Sequence, residues 1–198
     1  MKAAKTVGRA MKWRVRGGAL LAVLCALAVA IPGLPATAGA AGVRLGYYGG
    51  RDAEDPVATV GVYDRWDVPG PLNLEFSADY RREQLLGGDL EATVIPVRVS
   101  AVLNFLPVVS PYLLAGVGVD YVHAGFHHHL SALDSQMEAL FEVHAGAGVE
   151  ITLGPFDIIG DLRYCRVGET SKETVREALG HDYDPSGWYA SLSAGISF

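Results

Sequence analysis

The histidines are the first candidates for chemistry in this sequence. His123, His127, His128 and His129 lie close together in the chain. Two imidazoles one residue apart, such as His127 and His129, can share one side of an extended segment and bind a borderline metal. No cysteine and no helical HExxH spacing accompanies them. We therefore interpret the run as a solvated loop that gains charge in acid, and we expect neither a metal nor another cofactor.

Charged side chains form a second candidate group, because they recur at every second position between apolar residues. His144 belongs to this group as a hydrogen-bond partner rather than as a ligand. Acids and bases on neighbouring strands can pair, so we predict one polar network formed by Arg44, Glu75, Asp79, Arg81, Arg98, Asp120, Glu142, His144, Glu150, Asp161 and Arg163. Small residues on the same face (Gly116, Gly118, Gly146 and Gly148) would suit a narrow gated path, and equally the curvature of a small barrel.

The elements that must position these residues are strands. Residues 187–198 alternate strictly, with Trp188 and Ile196 on the apolar face and Phe198 at its end, which is typical of a strand crossing a bilayer. Asp64 makes the second segment the weakest, because it lies on the face of the apolar residues. Eight segments are predicted as strands: 43–48, 57–68, 72–82, 90–106, 112–122, 140–153, 156–167 and 188–198.

The connections between these segments alternate in length. Short turns at 69–71, 107–111 and 154–155 alternate with longer links at 49–56, 83–89, 123–139 and 168–187. Short turns at one rim and long loops at the other are typical of an outer-membrane barrel, with the short turns in the periplasm. We expect some local helix in residues 130–140 and 171–179, where aliphatic residues recur three or four apart.

The first forty residues have the order of a secretory signal peptide. A basic leader precedes an apolar run at 19–31, and small residues follow it. The run is short for a span of about 20 residues, which favours cleavage, after Ala38 or Ala40, over an uncleaved anchor. The predicted domains are therefore a signal peptide at 1–40 and one barrel domain at 41–198.

Removing that leader makes the remaining chain strongly acidic. Ten of the 16 basic residues and all 22 acidic residues remain, a net charge of −12. This charge argues against nucleic acid as a partner. Cys165 is the one cysteine left, so no internal disulfide can form, and we expect it to fill space in the core.

Several segments resemble the small eight-stranded barrels of the OmpA-transmembrane, OmpW and opacity-protein type. They are PYLLAGVG at 111–118, HAGAGVE at 144–150, DLRY at 161–164 and SAGISF at 193–198. The resemblance implies an all-β, antiparallel up-and-down transmembrane barrel in the outer membrane. It also implies that Trp188, Ile196 and Phe198 form the C-terminal signal for the barrel-assembly machinery. Periplasmic chaperones and outer-membrane lipid would be the other partners, and a monomer is favoured.

An enzymatic alternative starts from His129-Leu130-Ser131. This triplet resembles the His-x-Ser of the lipid A deacylases, in which a histidine activates a serine against an acyl ester. Ala132 stands where that family has Asn, so we predict that the protein is not an enzyme. We expect a porin-like fold with a role in envelope integrity or surface interaction and a lumen closed by the polar network. The alternatives are a narrow channel or binder for small molecules, hydrophobic ones included, and, remotely, a deacylase.

Overall fold

The fold is a closed barrel of eight antiparallel strands. The computed structural model describes residues 39–53, 55–68, 70–85, 90–106, 108–126, 137–168 and 184–197. Each strand pairs with the next, and β8 pairs with β1. The described residues contain no helix long and apolar enough to span a membrane. The strands are β1 (Gly39–Gly50), β2 (Val57–Asp67), β3 (Leu72–Leu85), β4 (Leu90–Asn104), β5 (Val109–Phe126), β6 (Met137–Leu153), β7 (Phe156–Val167) and β8 (Gly187–Ser197).

All eight predicted strands are present, and the differences lie at their ends. β1 begins at Gly39, four residues earlier than predicted. The prediction missed Gly39–Gly42 because these residues are all small and show no alternation. The helix expected over residues 130–140 is wrong for its last four residues, since β6 begins at Met137 and continues the barrel. Residues 130–136 and 171–179 lie outside the described part of the chain.

The connections place the two rims of the barrel. β2–β3, β4–β5 and β6–β7 are joined by short turns at what we call the short-turn rim, where β1 also begins and β8 ends. Gly70 (φ 104°) and Gly154 (φ 65°) occupy left-handed backbone conformations in two of these turns, which side chains disfavour. The other four connections define the long-loop rim.

The register of the strands fixes the stagger of the barrel. In one direction, pairing leads from Val43 through β2, β3 and β4 to Val119 on β5. In the other direction it leads through β8, β7 and β6 to Val109, ten residues away on the same strand. A stagger of this size tilts the strands by roughly 40° and leaves an interior wide enough only for side chains.

The two faces of the sheet have opposite chemistry. The outward side chains are large and apolar: Leu45, Phe141, Leu192 and Trp188 are each more than half exposed. The inward ones include five arginines and eight acidic residues, all buried. Charged groups therefore form the interior of this fold, and apolar groups form its surface.

Candidate functional site

The lumen contains every residue of the predicted polar network. All eleven are inward and at most 9% exposed: Arg44, Glu75, Asp79, Arg81, Arg98, Asp120, Glu142, His144, Glu150, Asp161 and Arg163. Three further charged residues, Arg65, Glu83 and Asp157, are buried beside them.

Sequence reasoning left these three residues out of the network for different reasons. Arg65 was hidden by the irregular second segment, and Glu83 lies one residue beyond the predicted end of β3. Asp157 shares a face of the seventh segment with Asp161 and Arg163, but the predicted network does not include it. Continuing the alternation from Tyr63, or from Arg81, would have found the first two.

Glu75 is the centre of the group nearer the short-turn rim. Its Oε1 accepts hydrogen bonds from Nη2 of Arg44 and from Nη2 of Arg163, each at 2.8 Å. Its Oε2 accepts one from Arg65 Nη2 at 2.6 Å. One carboxylate on β3 thus binds arginines from β1, β2 and β7, and it ties opposite walls of the barrel together.

Two of these arginines have a second acidic partner. Arg65 Nη1 donates to Glu150 Oε2 at 2.6 Å, and Arg163 donates twice to the Asp161 carboxylate at 2.7 and 2.9 Å. Among the described residues, Arg44 forms hydrogen bonds only with the Ser193 hydroxyl, at 3.0 Å, and with Glu75. We call this group the Glu75 cluster: Arg44, Arg65, Glu75, Glu150, Asp161 and Arg163. Its three positive and three negative charges balance when all are ionised.

A second group lies nearer the long-loop rim, and its best-held carboxylate is Glu142. Arg98 donates to the two oxygens of Glu142 at 2.6 and 2.9 Å and to Asp79 at 2.7 Å. The His144 ring contacts Glu142 Oε1 through Nδ1 at 2.9 Å and the Ser100 hydroxyl through Nε2 at 2.8 Å. His144 therefore acts as an interior hydrogen-bond partner.

Arg81 completes this second group. Its Nε donates to Glu83 at 2.6 Å and its Nη2 to Asp120 Oδ2 at 3.1 Å. We call the group the outer lumen cluster: Asp79, Arg81, Glu83, Arg98, Asp120, Glu142 and His144. Together the two clusters occupy the lumen from near one rim to near the other.

Four of the five buried arginines also stack on tyrosine rings. The guanidinium carbon of Arg81 lies 3.8 Å from the ring centroid of Tyr48. The other pairs lie between 5.2 and 5.4 Å: Arg44 on Tyr63, Arg65 on Tyr112 and Arg98 on Tyr189. Such cation–π contacts strengthen when water is excluded, so the rings hold the guanidinium groups in place while filling the lumen.

The inward glycines lie against these large side chains. A Cβ at Gly148 would overlap the ring end of Tyr112, and one at Gly116 would lie 2.7 Å from Nε2 of His144. At Gly118 a Cβ would lie 3.0 Å from Cγ of Arg98. Three of the four small residues that suited a narrow path thus lie beside lumen side chains, and at Gly146 the nearest atoms are backbone atoms of Leu162 and Arg163.

The remaining candidates do not form a reactive centre among the described residues. No group of three His, Cys, Asp or Glu side chains in the described ranges could hold a metal. Cys165 is a free, buried thiol in the lumen. His127, His128, His129 and Ser131 lie outside the described ranges, as does Phe198.

Residues 184–186 hold the long-loop rim together. Ser186 accepts the Arg51 N–H through its carbonyl at 2.7 Å, and its hydroxyl accepts the Val167 N–H at 2.9 Å. Tyr48 donates to the carbonyl of Pro185. Partial burial disfavours the charge on Asp184, but hydrogen bonds from Ser186 and Arg51 outweigh that effect and lower the pKa of Asp184.

The outer surface carries the residues expected to form the C-terminal signal. Trp188 is 57% exposed and Ile196 is 56% exposed, both facing away from the lumen. Asp64 is a charged residue on this outer surface, as its alternation indicated. Its carboxylate accepts a hydrogen bond from the indole N–H of Trp66 at 2.9 Å, which satisfies one polar group of each side chain.

A closed eight-stranded antiparallel barrel with a charged lumen and an apolar exterior defines the small outer-membrane barrel fold. Solved structures of such barrels match this chain. Neisserial surface protein A matches with a TM-score of 0.58 and 12% identity, covering 81% of this chain and 94% of that one. A major outer membrane protein of Thermus thermophilus matches at 0.54 and 12%, covering 82% and 100%.

The attachment invasion locus protein Ail of Yersinia pestis, in complex with the heparin analogue sucrose octasulfate, also matches. Its TM-score is 0.51 at 16% identity, and the match covers 81% of this chain and 97% of that one. No protein-family model and no curated protein matches the chain. At these identities the likeness establishes the fold, and the role must be argued from the residues themselves.

Proposed function

We propose that this protein is an outer-membrane barrel with a structural or surface-interaction role, whose lumen is closed by the two charged clusters. The observation that carries the proposal is Glu75 bound to arginines from three strands. It supports a closed lumen because these charged groups meet in the interior and form ion pairs with one another. Freeing a path through them would leave buried charges without partners.

The exterior supports a membrane location. Among the described residues, 27 large hydrophobic side chains are exposed, spread over the strands and the short turns. Contiguous apolar surface on this scale is unfavourable in water and suits hydrocarbon. Because unpaired strand edges cannot be exposed to lipid, the pairing of β8 with β1 is also what such a location requires.

The side chains beside the inward glycines count against the alternative of a conduit or binder for small molecules. The spaces beside Gly116, Gly118 and Gly148 contain His144, Arg98 and Tyr112. A path would need at least one of these side chains to leave its hydrogen-bonded or stacked position. The geometry therefore favours a structural or surface-interaction role with a closed lumen over transport through the barrel.

Conductance measurements test the closed lumen. We expect the barrel in planar bilayers to give no sustained single-channel steps. The double variant Glu75→Ala/Arg163→Ala, which removes the central carboxylate and one of its arginines, should give measurable steps if it folds. Sustained steps from the wild-type barrel would refute the proposal. Slower migration of the boiled sample on a denaturing gel would show that each preparation contained folded barrel.

We extend the proposal to the absence of catalysis. The candidate pair His129 and Ser131 belongs to the long connection between β5 and β6, and Ala132 lacks the amide that the deacylase pattern carries. Expression of the wild type and of Ser131→Ala should leave lipid A acylation equally unchanged. Loss of acyl chains with the wild type alone would establish a deacylase instead.

A further inference from the structure

The outer lumen cluster contains more acid than base. Its four carboxyl groups belong to Asp79, Glu83, Asp120 and Glu142, and all are buried. Against them stand two guanidinium groups and the imidazole of His144. Counted over these described residues, and even with a doubly protonated imidazole, one negative charge is left over. Burying an unbalanced charge is unfavourable, so one carboxyl group is expected to hold a proton.

Asp120 is the acid with the weakest support for a charge. Its Oδ2 accepts a single hydrogen bond, from Arg81 at 3.1 Å. Its Oδ1 is buried and has no N–H or O–H donor among the described residues. Glu142, by contrast, accepts two hydrogen bonds from Arg98 and contacts His144. Donors stabilise the ionised form, so Glu142 is the better carboxylate of the two.

The carboxyl groups of Asp120 and Glu142 lie close enough to each other to form a hydrogen bond. Two ionised carboxylates contain only acceptors and cannot form such a bond, whereas a protonated carboxyl group donates one O–H. If Asp120 Oδ1 carries a proton, its O–H donates to Glu142. This buried oxygen then has a hydrogen bond although no other described group donates to it. The proton also neutralises the excess charge.

We infer that Asp120 and Glu142 share one proton, and that this proton stabilises the outer lumen cluster. The inference rests on the proposed closed lumen. The groups that face the pair come from every neighbouring wall: Arg81 and Glu83 on β3, Arg98 on β4, His144 on β6, Tyr48 on β1, Cys165 on β7 and Tyr189 on β8.

The shared proton makes stability depend on pH with a defined sign. Above about pH 4–5 an unfolded chain has lost this proton, while the folded barrel retains it. The folded-to-unfolded ratio then falls about tenfold per pH unit from this site, until the folded barrel also releases the proton. Asp120→Asn places an N–H donor beside Glu142 that does not titrate. The variant should lose this contribution.

The experiment compares urea unfolding of the wild type and Asp120→Asn in zwitterionic lipid vesicles from about pH 5 to 9. We expect the two folded-to-unfolded ratios to diverge by about tenfold per pH unit over part of this range. The matched control is Asp161→Asn, which removes a buried carboxylate paired with Arg163. It should weaken the barrel and keep the wild-type pH dependence.

Infrared spectroscopy gives a second readout that needs no variant to fold. The wild-type barrel at neutral pH should show a protonated carboxyl band that shifts in heavy water and disappears in alkali. Absence of that band, or equal pH dependence of the wild type and Asp120→Asn, would overturn the inference. Neither result would affect the closed lumen, which fails only if the wild-type barrel conducts.

Discussion

Removing the Glu75 carboxylate is the sharpest test of the lumen network, and Glu75→Gln does so with little change of shape. Arg65 and Arg163 would keep a second acidic partner each, Glu150 and Asp161. Among the described residues, Arg44 would keep the Ser193 hydroxyl and the Tyr63 ring, and it would become a buried cation without a hydrogen-bonded carboxylate. The three arginines therefore do not lose their acidic partners equally. Most of the destabilisation comes from Arg44, which loses its only hydrogen-bonded carboxylate among the described residues.

The expected magnitude follows from this imbalance. Breaking a buried ion pair by removing one partner costs about 3–5 kcal/mol, because the other charge stays buried. The matched control is Glu91→Gln at the edge of the barrel. Glu91 pairs with Arg82 at 3.5 Å, and the side chains of Arg82 and Glu91 are 59% and 25% exposed. Such an exposed pair contributes about 0–1 kcal/mol.

Reversible urea unfolding in lipid vesicles, followed by tryptophan fluorescence, measures both variants. A third sample, Glu75→Gln/Arg44→Met, removes the stranded cation as well and should recover about half of the loss. The reasoning is refuted if Glu75→Gln costs no more than Glu91→Gln. It is also refuted if Arg44→Met lowers the free energy of unfolding as much in the Glu75→Gln background as in the wild type.

Three further predictions concern packing, processing and pH. Gly148→Ala should destabilise the barrel by about 1–3 kcal/mol, because its Cβ overlaps Tyr112, whereas Gly160→Ala meets nothing within 4 Å and should be neutral in the same urea assay. Intact mass of the exported protein should begin at Gly39 or Ala41, after the small residues that follow the apolar run, and an unprocessed start at residue 1 would contradict this. The pKa of Asp184 is lowered in the folded barrel, so the ionised side chain stabilises the fold above the pKa of the unfolded chain. This stabilisation is lost as pH falls below the ordinary carboxyl range. Acid should therefore speed proteolysis of the wild-type barrel at the long-loop rim, and Asp184→Asn should be cleaved rapidly already at neutral pH. Equal cleavage rates of the wild type and the variant at neutral pH would contradict this.

The strand positions and their two faces were accessible from the sequence because both are local properties. Successive side chains point to opposite sides of a pleated strand, so Leu74, Glu75 and Phe76 reveal the face of β3 without knowledge of its neighbours. The errors arose where this local signal fails. Small residues hid the start of β1, and three- and four-residue spacing before residue 140 indicated helix where the sheet continues with β6.

The members of the lumen network were likewise readable from alternation, but their partners were not. Arg44 and Glu75 lie on β1 and β3, which are not adjacent, and Arg65 meets Glu150 from the far side of the barrel. Which charges meet depends on the ten-residue stagger and on the reach of arginine across a narrow lumen, both set by closure of the sheet. By itself, then, the sequence determined which residues face inward. Only the tertiary structure decided that Glu75 would collect three arginines and that Asp120 would face another carboxyl group.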